Sequence, residues 1–166
     1  FDGNFAFGNG AALHSNALTA TIQNSTFTAN AANNAQGGAI NNRQGEMTIS
    51  HSTFVDNQVE VGASTLANQD ADLNPAPGFD PTTITLDNTV IVSPLANNCS
   101  GNVVDGGFNA DWPSTSTCPG TKVDPQLGPL QDNGGLTLTH LPNNNSPLVN
   151  AGDPAFVPSG FLTTDQ

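Results

Sequence analysis

The chain has 166 residues, which suits a single domain, and its formal net charge is −12. Its only basic side chains are Arg43 and Lys122, which argues against nucleic-acid binding because phosphate-binding surfaces are built from lysine and arginine. Binding to acidic polysaccharide would need a bridging cation. Charged residues make up only 10% of the chain, and the abundant Asn, Thr, Ser and Gly favour strands and turns over helix.

A repeat of about 26 residues is the strongest signal in the first half of the chain. Residues 21–27 (TIQNSTF) return 27 positions later as residues 48–54 (TISHSTF), and more weakly as residues 85–91 (TLDNTVI). The alternation of apolar and polar positions predicts strands with one buried face. The third copy is delayed by a further ten residues, which predicts a loop inserted near residues 68–81.

A second element recurs as GAAL at 10–13, GGAI at 37–40 and ASTL at 63–66, and it predicts a second short strand in each unit. Units this small cannot close a core alone, so they must stack. Stacking predicts a parallel β-solenoid with three interior ladders: Phe1, Phe27, Phe54 and Ile91; Ile22, Ile49 and Leu86; and Leu13, Ile40 and Leu66. A leucine-rich repeat is the competing architecture, but Leu does not recur at short fixed spacing.

The strand that ends in Phe is followed by a turn of the form FxxN, at residues 1–4, 27–30 and 54–57. Asparagine tolerates the left-handed backbone region. We therefore expect the Asn of each turn to adopt that conformation, and its side chain to hydrogen-bond with the equivalent Asn one coil away.

Cys99 and Cys118 are the only two cysteines, and no CxxC or Cys/His cluster points to zinc. A disulfide is the favoured interpretation, and two unpaired thiols are the alternative. A disulfide implies an oxidising compartment, and closing a loop of this size stabilises the fold by roughly 3 kcal/mol. No apolar run is long enough to span a membrane.

The motifs TISHSTFVDN and GGAINN resemble the repeats of right-handed parallel β-helix bacterial surface proteins, including the polymorphic outer-membrane type. The segments NNCSGNVVDGGFNADWPSTSTCPG and VDPQLGPLQDNGGLTLTHLPNNNSPLVNAGD, with a final TTDQ, resemble the choice-of-anchor Q domain. The resemblance implies an all-β, single-stranded right-handed parallel β-helix of roughly six coils of about 26 residues. Residues 1–93 would form regular repeats, and residues 94–166 would form choice-of-anchor Q-like coils continuous with the same solenoid.

Parallel β-helices also carry polysaccharide lyases and hydrolases, whose catalytic groups are clustered carboxylates or calcium with arginine. None of the candidate carboxylates is expected to pair beside a basic residue at coil spacing; they are Asp56, Glu60, Asp70, Asp72, Asp105, Asp111 and Asp132. His14, His51 and His140 form no Ser/His/Asp grouping by spacing. His51 stands where the preceding coil has Asn24, which is typical of a stacked polar ladder.

Asp70, Asp72 and Asn74 place oxygen ligands at alternate positions, as at the start of a calcium loop. Pro75 and Pro81 replace the Gly and Glu that such a loop needs, so a solvated loop is the competing interpretation. No other cofactor is expected.

These observations favour a non-catalytic structural β-solenoid, extracellular and at a cell surface or in a matrix. A carbohydrate-active or carbohydrate-binding β-helix is the alternative. Since no polar cap precedes Phe1, the first coil is expected to expose strand edges, and copies of the chain could associate head to tail into filaments.

Overall fold

The computed structural model describes residues 1–33, 36–60, 65–69, 82–94 and 97–156. These residues contain short strands and no helix, which confirms the prediction of an all-β fold. In chain order the strands are β1 (Phe5–Ala6), β2 (Leu13–Ser15), β3 (Thr19–Gln23), β4 (Thr26–Thr28), β5 (Ala31–Ala32), β6 (Ile40–Asn42), β7 (Glu46–Ser50), β8 (Thr53–Val55) and β9 (Gln58–Val59). They continue with β10 (Leu66–Asn68), β11 (Thr83–Asp87), β12 (Val90–Val92), β13 (Cys99–Ser100), β14 (Val103–Gly107), β15 (Ala110–Trp112), β16 (Thr121–Lys122), β17 (Leu127–Gln131) and β18 (Thr139–Pro142).

Four parallel sheets contain the first sixteen strands, and successive strands of one repeat belong to different sheets. Sheet I has the order β14-β11-β7-β3, sheet II β16-β15-β12-β8-β4, sheet III β1-β5-β9 and sheet IV β13-β10-β6-β2. The parallel pairing expected from the repeat is therefore present, and it extends beyond residue 94 into β13, β14, β15 and β16.

The registers align the apolar positions of the repeat into columns that point into the core. Ile22, Ile49 and Leu86 are partners in sheet I, and Leu13, Ile40 and Leu66 are partners in sheet IV. In sheet II, Phe27 pairs with Phe54 and Phe54 with Ile91. The rings of Phe1, Phe27 and Phe54 stack face to face, with centroids 4.5 and 4.7 Å apart. Phe27 and Phe54 are completely buried, while Phe1 is 59% exposed.

The FxxN turns differ from the prediction in one respect. The left-handed residue is the one before the Asn, with φ of 50° at Ala29 and 53° at Asp56. Asn30 and Asn57 are instead fully buried and use their side chains as connectors. A buried amide that bonds to the next coil must face inward, so the preceding residue takes the left-handed turn conformation.

The predicted side-chain ladder of these asparagines is present. Asn4 Nδ2 donates to Asn30 Oδ1 at 2.8 Å, and Asn30 Nδ2 donates to Asn57 Oδ1 at 2.7 Å. Each acceptor oxygen also receives the backbone N–H of the donor residue, at 3.1 Å. At the turn, the ladder adds side-chain hydrogen bonds between consecutive coils to backbone bonds such as that from Ala29 N–H to the Val55 carbonyl, at 3.0 Å.

The last two described strands depart from the parallel arrangement. β17 and β18 pair antiparallel with each other and join none of the four parallel sheets. Their connection is short and turns at Gly134, whose φ is 93° and whose N–H donates to Asp132 Oδ1 at 2.9 Å. A short turn favours antiparallel pairing, since a parallel pair needs a crossover of a dozen or more residues. Among the described residues, parallel stacking therefore ends at Lys122.

Candidate functional site

A cavity of about 390 Å³ lies between the outer face of sheet II and the final part of the described chain. Its floor consists of outward-facing residues of four neighbouring strands: Thr53, Val90, Ala110 and Thr121. Its walls come from the β17–β18 hairpin and from residues 147–152. The site exists because the chain leaves the stack after β16 and runs back over the sheet.

The floor is shaped by the alternation along the strands of sheet II. Phe54 and Ile91 point inward, so their neighbours Thr53 and Val90 point outward. Threonine and valine suit this exposed side of a strand because branched side chains pack well on a pleated surface. Small and hydroxyl-bearing residues at these positions leave room between the sheet and the hairpin.

His51 lies at one edge of the cavity, on the turn between sheets I and II. Its φ of 48° matches those of Asn24 and Asn88, the equivalent turn residues of the neighbouring coils. The residue is 6% exposed, and neither ring nitrogen has a hydrogen-bond partner within the described part of the chain. The ring packs on Phe156, with centroids 4.4 Å apart. Burying an imidazole without a hydrogen-bond partner costs free energy. The ring of His51 therefore offers an unused donor and an unused acceptor to a bound molecule.

His140, on β18, also lines the cavity but is fully engaged in hydrogen bonds. Its Nδ1 lies 2.8 Å from the Gly128 carbonyl, and its Nε2 lies 3.0 Å from Thr28 Oγ1. A carbonyl can only accept, so Nδ1 carries a proton and donates it to the Gly128 carbonyl. His140 therefore fastens the hairpin to the first strand of sheet II.

Among the described residues, the lining of the cavity contains hydroxyl, amide and imidazole groups but no Asp, Glu, Lys or Arg. The arrangement is suited to holding a small uncharged molecule through hydrogen bonds and apolar contact.

The structure disperses most of the carboxylates considered from the sequence. Asp56 and Glu60 are exposed near the turn after β8, and Asp132 is exposed in the hairpin turn. Asp105 accepts a hydrogen bond from Asn109 Nδ2 at 2.7 Å. Asp70, Asp72 and Asn74, the calcium candidates, lie outside the described residues, so the calcium prediction stays a prediction. Within the described ranges, no group of three or more His, Cys, Asp or Glu residues could hold a metal ion.

Asp111 has a basic neighbour at a spacing that the repeat did not indicate. Asp111 and Lys122 are register partners on β15 and β16. Lys122 Nζ lies 2.6 Å from Asp111 Oδ2, and the Asp111 side chain is completely buried. The pairing was missed because these strands are 11 residues apart, less than half the repeat that the first coils follow.

The two cysteines form the predicted disulfide beside this pair. Cys99 on β13 is bonded to Cys118, with their Cα atoms 4.8 Å apart. Both residues are buried. The disulfide therefore anchors the segment that leads into β16 to the last strand of sheet IV.

No helix within the described ranges is long and apolar enough to cross a membrane. Comparison of the chain with protein-family models, with curated proteins and with solved structures found no match. The resemblance to choice-of-anchor Q domains and to outer-membrane-type repeats therefore remains a proposal about this chain.

Proposed function

We propose that this chain is a non-catalytic structural β-solenoid that works outside the cell, at a surface or in a matrix. The observation that carries the proposal is the packed interior of the parallel sheets. The columns Phe27–Phe54–Ile91 and Ile49–Leu86 fill the space between the sheets with side chains that are at most 1% exposed. An interior filled by stacked ladders is the property of a rigid spacer.

We further propose that sheets I to IV are the faces of one right-handed parallel β-helix. The support is the order of the strands: β3, β4, β5 and β6 follow one another in the chain and enter sheets I, II, III and IV in turn. The next repeat, from β7 to β10, visits the same four sheets in the same order. A right-handed path is the rule for parallel crossovers between L-amino-acid strands.

An extracellular location is supported by the disulfide, because such bonds persist in oxidising compartments. The resemblance to choice-of-anchor Q domains of secreted bacterial proteins points in the same direction. Detection of the chain on intact cells by a membrane-impermeant label would test the location. Labelling only after lysis would contradict it.

The non-catalytic assignment is tested against the enzymes that share this architecture. We expect no release of unsaturated or reducing ends when the chain is incubated with uronic-acid and neutral polysaccharides, with and without calcium. Release of either product, above the level of a heat-denatured sample, would overturn the assignment. The calcium arms also test the predicted loop ligands Asp70, Asp72 and Asn74.

A second candidate function is binding of a neutral carbohydrate in the cavity over sheet II. The specific observation is the His51 ring, which is buried at the cavity edge without a hydrogen-bond partner in the described ranges. Sugar hydroxyls could satisfy both ring nitrogens, and Phe108, which also lines the cavity and is 52% exposed, offers an apolar face.

Nuclear magnetic resonance titration with neutral mono- and disaccharides would test this candidate. We expect shifts at His51 and loss of binding in His51→Ala, with unchanged binding in His14→Ala as the control. His14 is exposed and does not line the cavity. No shift with any sugar would remove the candidate and leave the structural proposal intact.

Head-to-tail association of copies stays a prediction. The first coil carries four exposed apolar residues, Phe1, Phe5, Phe7 and Leu18. Light scattering with electron microscopy over a range of concentrations would test it, and a particle that stays monomeric throughout would refute it.

A further inference from the structure

Lys122 is the single lysine of the chain, and its amine contacts a buried carboxylate. Lys122 occupies the inward position of β16, in register with Asp111 of β15. Its Nζ lies 2.6 Å from Asp111 Oδ2 and also contacts the carbonyl oxygen of Cys118. The Asp111 side chain is 0% exposed and that of Lys122 is 31% exposed.

The second oxygen of the same carboxylate meets a carboxamide. Asn98 Nδ2 donates to Asp111 Oδ1 at 3.1 Å, and Asn98 is completely buried. The same nitrogen donates to the Trp112 carbonyl at 3.0 Å. The Asn98 Oδ1 atom lies 3.4 Å from the Thr65 hydroxyl. Asp111 therefore touches an amine through one oxygen and an amide nitrogen through the other.

We propose that Lys122 and Asn98 form an intramolecular isopeptide bond, with Asp111 as the general acid and base. The Asp111 carboxylate accepts a proton from the Lys122 ammonium, and the free amine attacks Cγ of Asn98. Asp111 gives that proton to the leaving Nδ2 and takes the second proton from Nζ. The bond from Cγ to Nδ2 breaks, ammonia departs, and Asp111 is left protonated. The product is a secondary amide between Nζ and Cγ, and no oxidant or other reagent is consumed.

The surroundings favour this reaction over a simple ion pair. A carboxylate that contacts both the attacking and the leaving nitrogen serves both proton transfers without moving. The fold holds the amine and the carboxamide against the two oxygens of one buried carboxylate, which replaces a bimolecular encounter by an intramolecular one. The Thr65 hydroxyl lies 3.4 Å from the oxygen on which negative charge develops.

The disulfide keeps the two reacting segments together. Cys99 follows Asn98 directly, and the carbonyl of Cys118 contacts the lysine amine. The isopeptide bond would link the same two segments a second time, and it would survive reduction of the disulfide. This inference does not depend on the chain being structural or carbohydrate-binding.

Mass spectrometry of the intact, reduced and unfolded chain tests the proposal. We expect the mass to be lower than the sequence requires by one ammonia, and a lysine-specific protease to leave the bond after Lys122 uncut. Fragmentation should show the peptides of Asn98 and Lys122 joined. A full mass with complete cleavage after Lys122 would overturn the proposal, as would loss of one water with a link to Asp111.

Variants test the chemical roles of Lys122 and Asp111 separately. Lys122→Arg keeps the positive charge but lacks the amine nucleophile, and it should have its full sequence mass. Asp111→Ala keeps both reacting groups and should also fail to link. Asp105→Ala is the matched control, since that carboxylate also accepts from an asparagine, Asn109, but has no lysine beside it; it should link like the original chain. Should Asp111→Ala not fold, the mass of the unmodified sequence still decides the question.

Discussion

The interior column of sheet II is aromatic at one end and charged at the other. Phe1, Phe27 and Phe54 stack ring on ring at the start, and Asp111 and Lys122 occupy the same column after Ile91. The aromatic end is stabilised by removal of apolar surface from water, which needs a coil on each side. The charged end lies where parallel stacking stops, and there the Lys122 amine lies 2.6 Å from the buried Asp111 carboxylate. One column therefore combines apolar stacking at Phe27 and Phe54 with charge pairing on its last two strands.

The largest expected effect comes from breaking the aromatic end. Phe54→Ala should lower the free energy of unfolding by about 3–5 kcal/mol, because it opens a cavity between two fully packed neighbours. Urea denaturation followed by circular dichroism measures the change. Val92→Ala, on the outer face of the same sheet and half-buried, is the matched control and should cost about 1 kcal/mol. Equal losses in the two variants would show that the column is not the main stabilising element.

The charged end should be nearly as sensitive to removal of one partner. Lys122→Met leaves the buried Asp111 side chain without its partner and also prevents the proposed link to Asn98, so it should cost about 3 kcal/mol. The double variant Asp111→Leu/Lys122→Met continues the apolar column to its end and should recover most of that loss. The comparison uses the same urea measurement. If the double variant is less stable than the single one, apolar residues cannot replace the charged pair at this end of the column.

The asparagine ladder beside the aromatic stack should come next. Asn57→Ala removes the acceptor of two hydrogen bonds from Asn30 and the donor to the Phe27 carbonyl, all in the interior. Leaving these groups unsatisfied should cost about 2 kcal/mol or more. Gln58→Ala, at the exposed neighbouring position, is the control and should change stability by less than about 0.5 kcal/mol.

The smallest expected effect concerns the hairpin that covers sheet II. His140→Ala removes the hydrogen bonds to Gly128 and Thr28, and it should destabilise the hairpin by about 1 kcal/mol. Amide hydrogen exchange should accelerate at β17 and β18 while the exchange of β8 and β12 stays unchanged. Faster exchange throughout the parallel sheets would contradict the expectation that the hairpin can open without loss of stability in those sheets.

The repeat made much of the fold predictable. Spacings of 27 residues indicated that Ile22 would lie beside Ile49 and Phe27 beside Phe54, and the strand registers show those pairs. The prediction was weaker where the repeat changes length. β15 and β16 are close in the chain, so no periodic signal indicated that Asp111 and Lys122 would meet.

The cavity over sheet II could not be inferred in the same way. It depends on the antiparallel hairpin that runs back across the outer face, and the sequence of that hairpin was assigned to further parallel coils. His51 lies at the turn position equivalent to Asn24, as expected, but nothing in the sequence indicated that its ring would contact Phe156. Contacts between segments more than 100 residues apart carry no local signature in a single sequence.

The sequence by itself determined the all-β class, the parallel pairing of the repeats, the inward columns and the disulfide, because each follows from periodicity or from a residue count. Only the tertiary structure decided which residue of each FxxN turn is left-handed, where parallel stacking ends, and which side chains meet Asp111. These outcomes depend on the balance between burying polar groups and satisfying their hydrogen bonds. That balance is set by three-dimensional neighbours, which the order of residues along the chain does not specify locally.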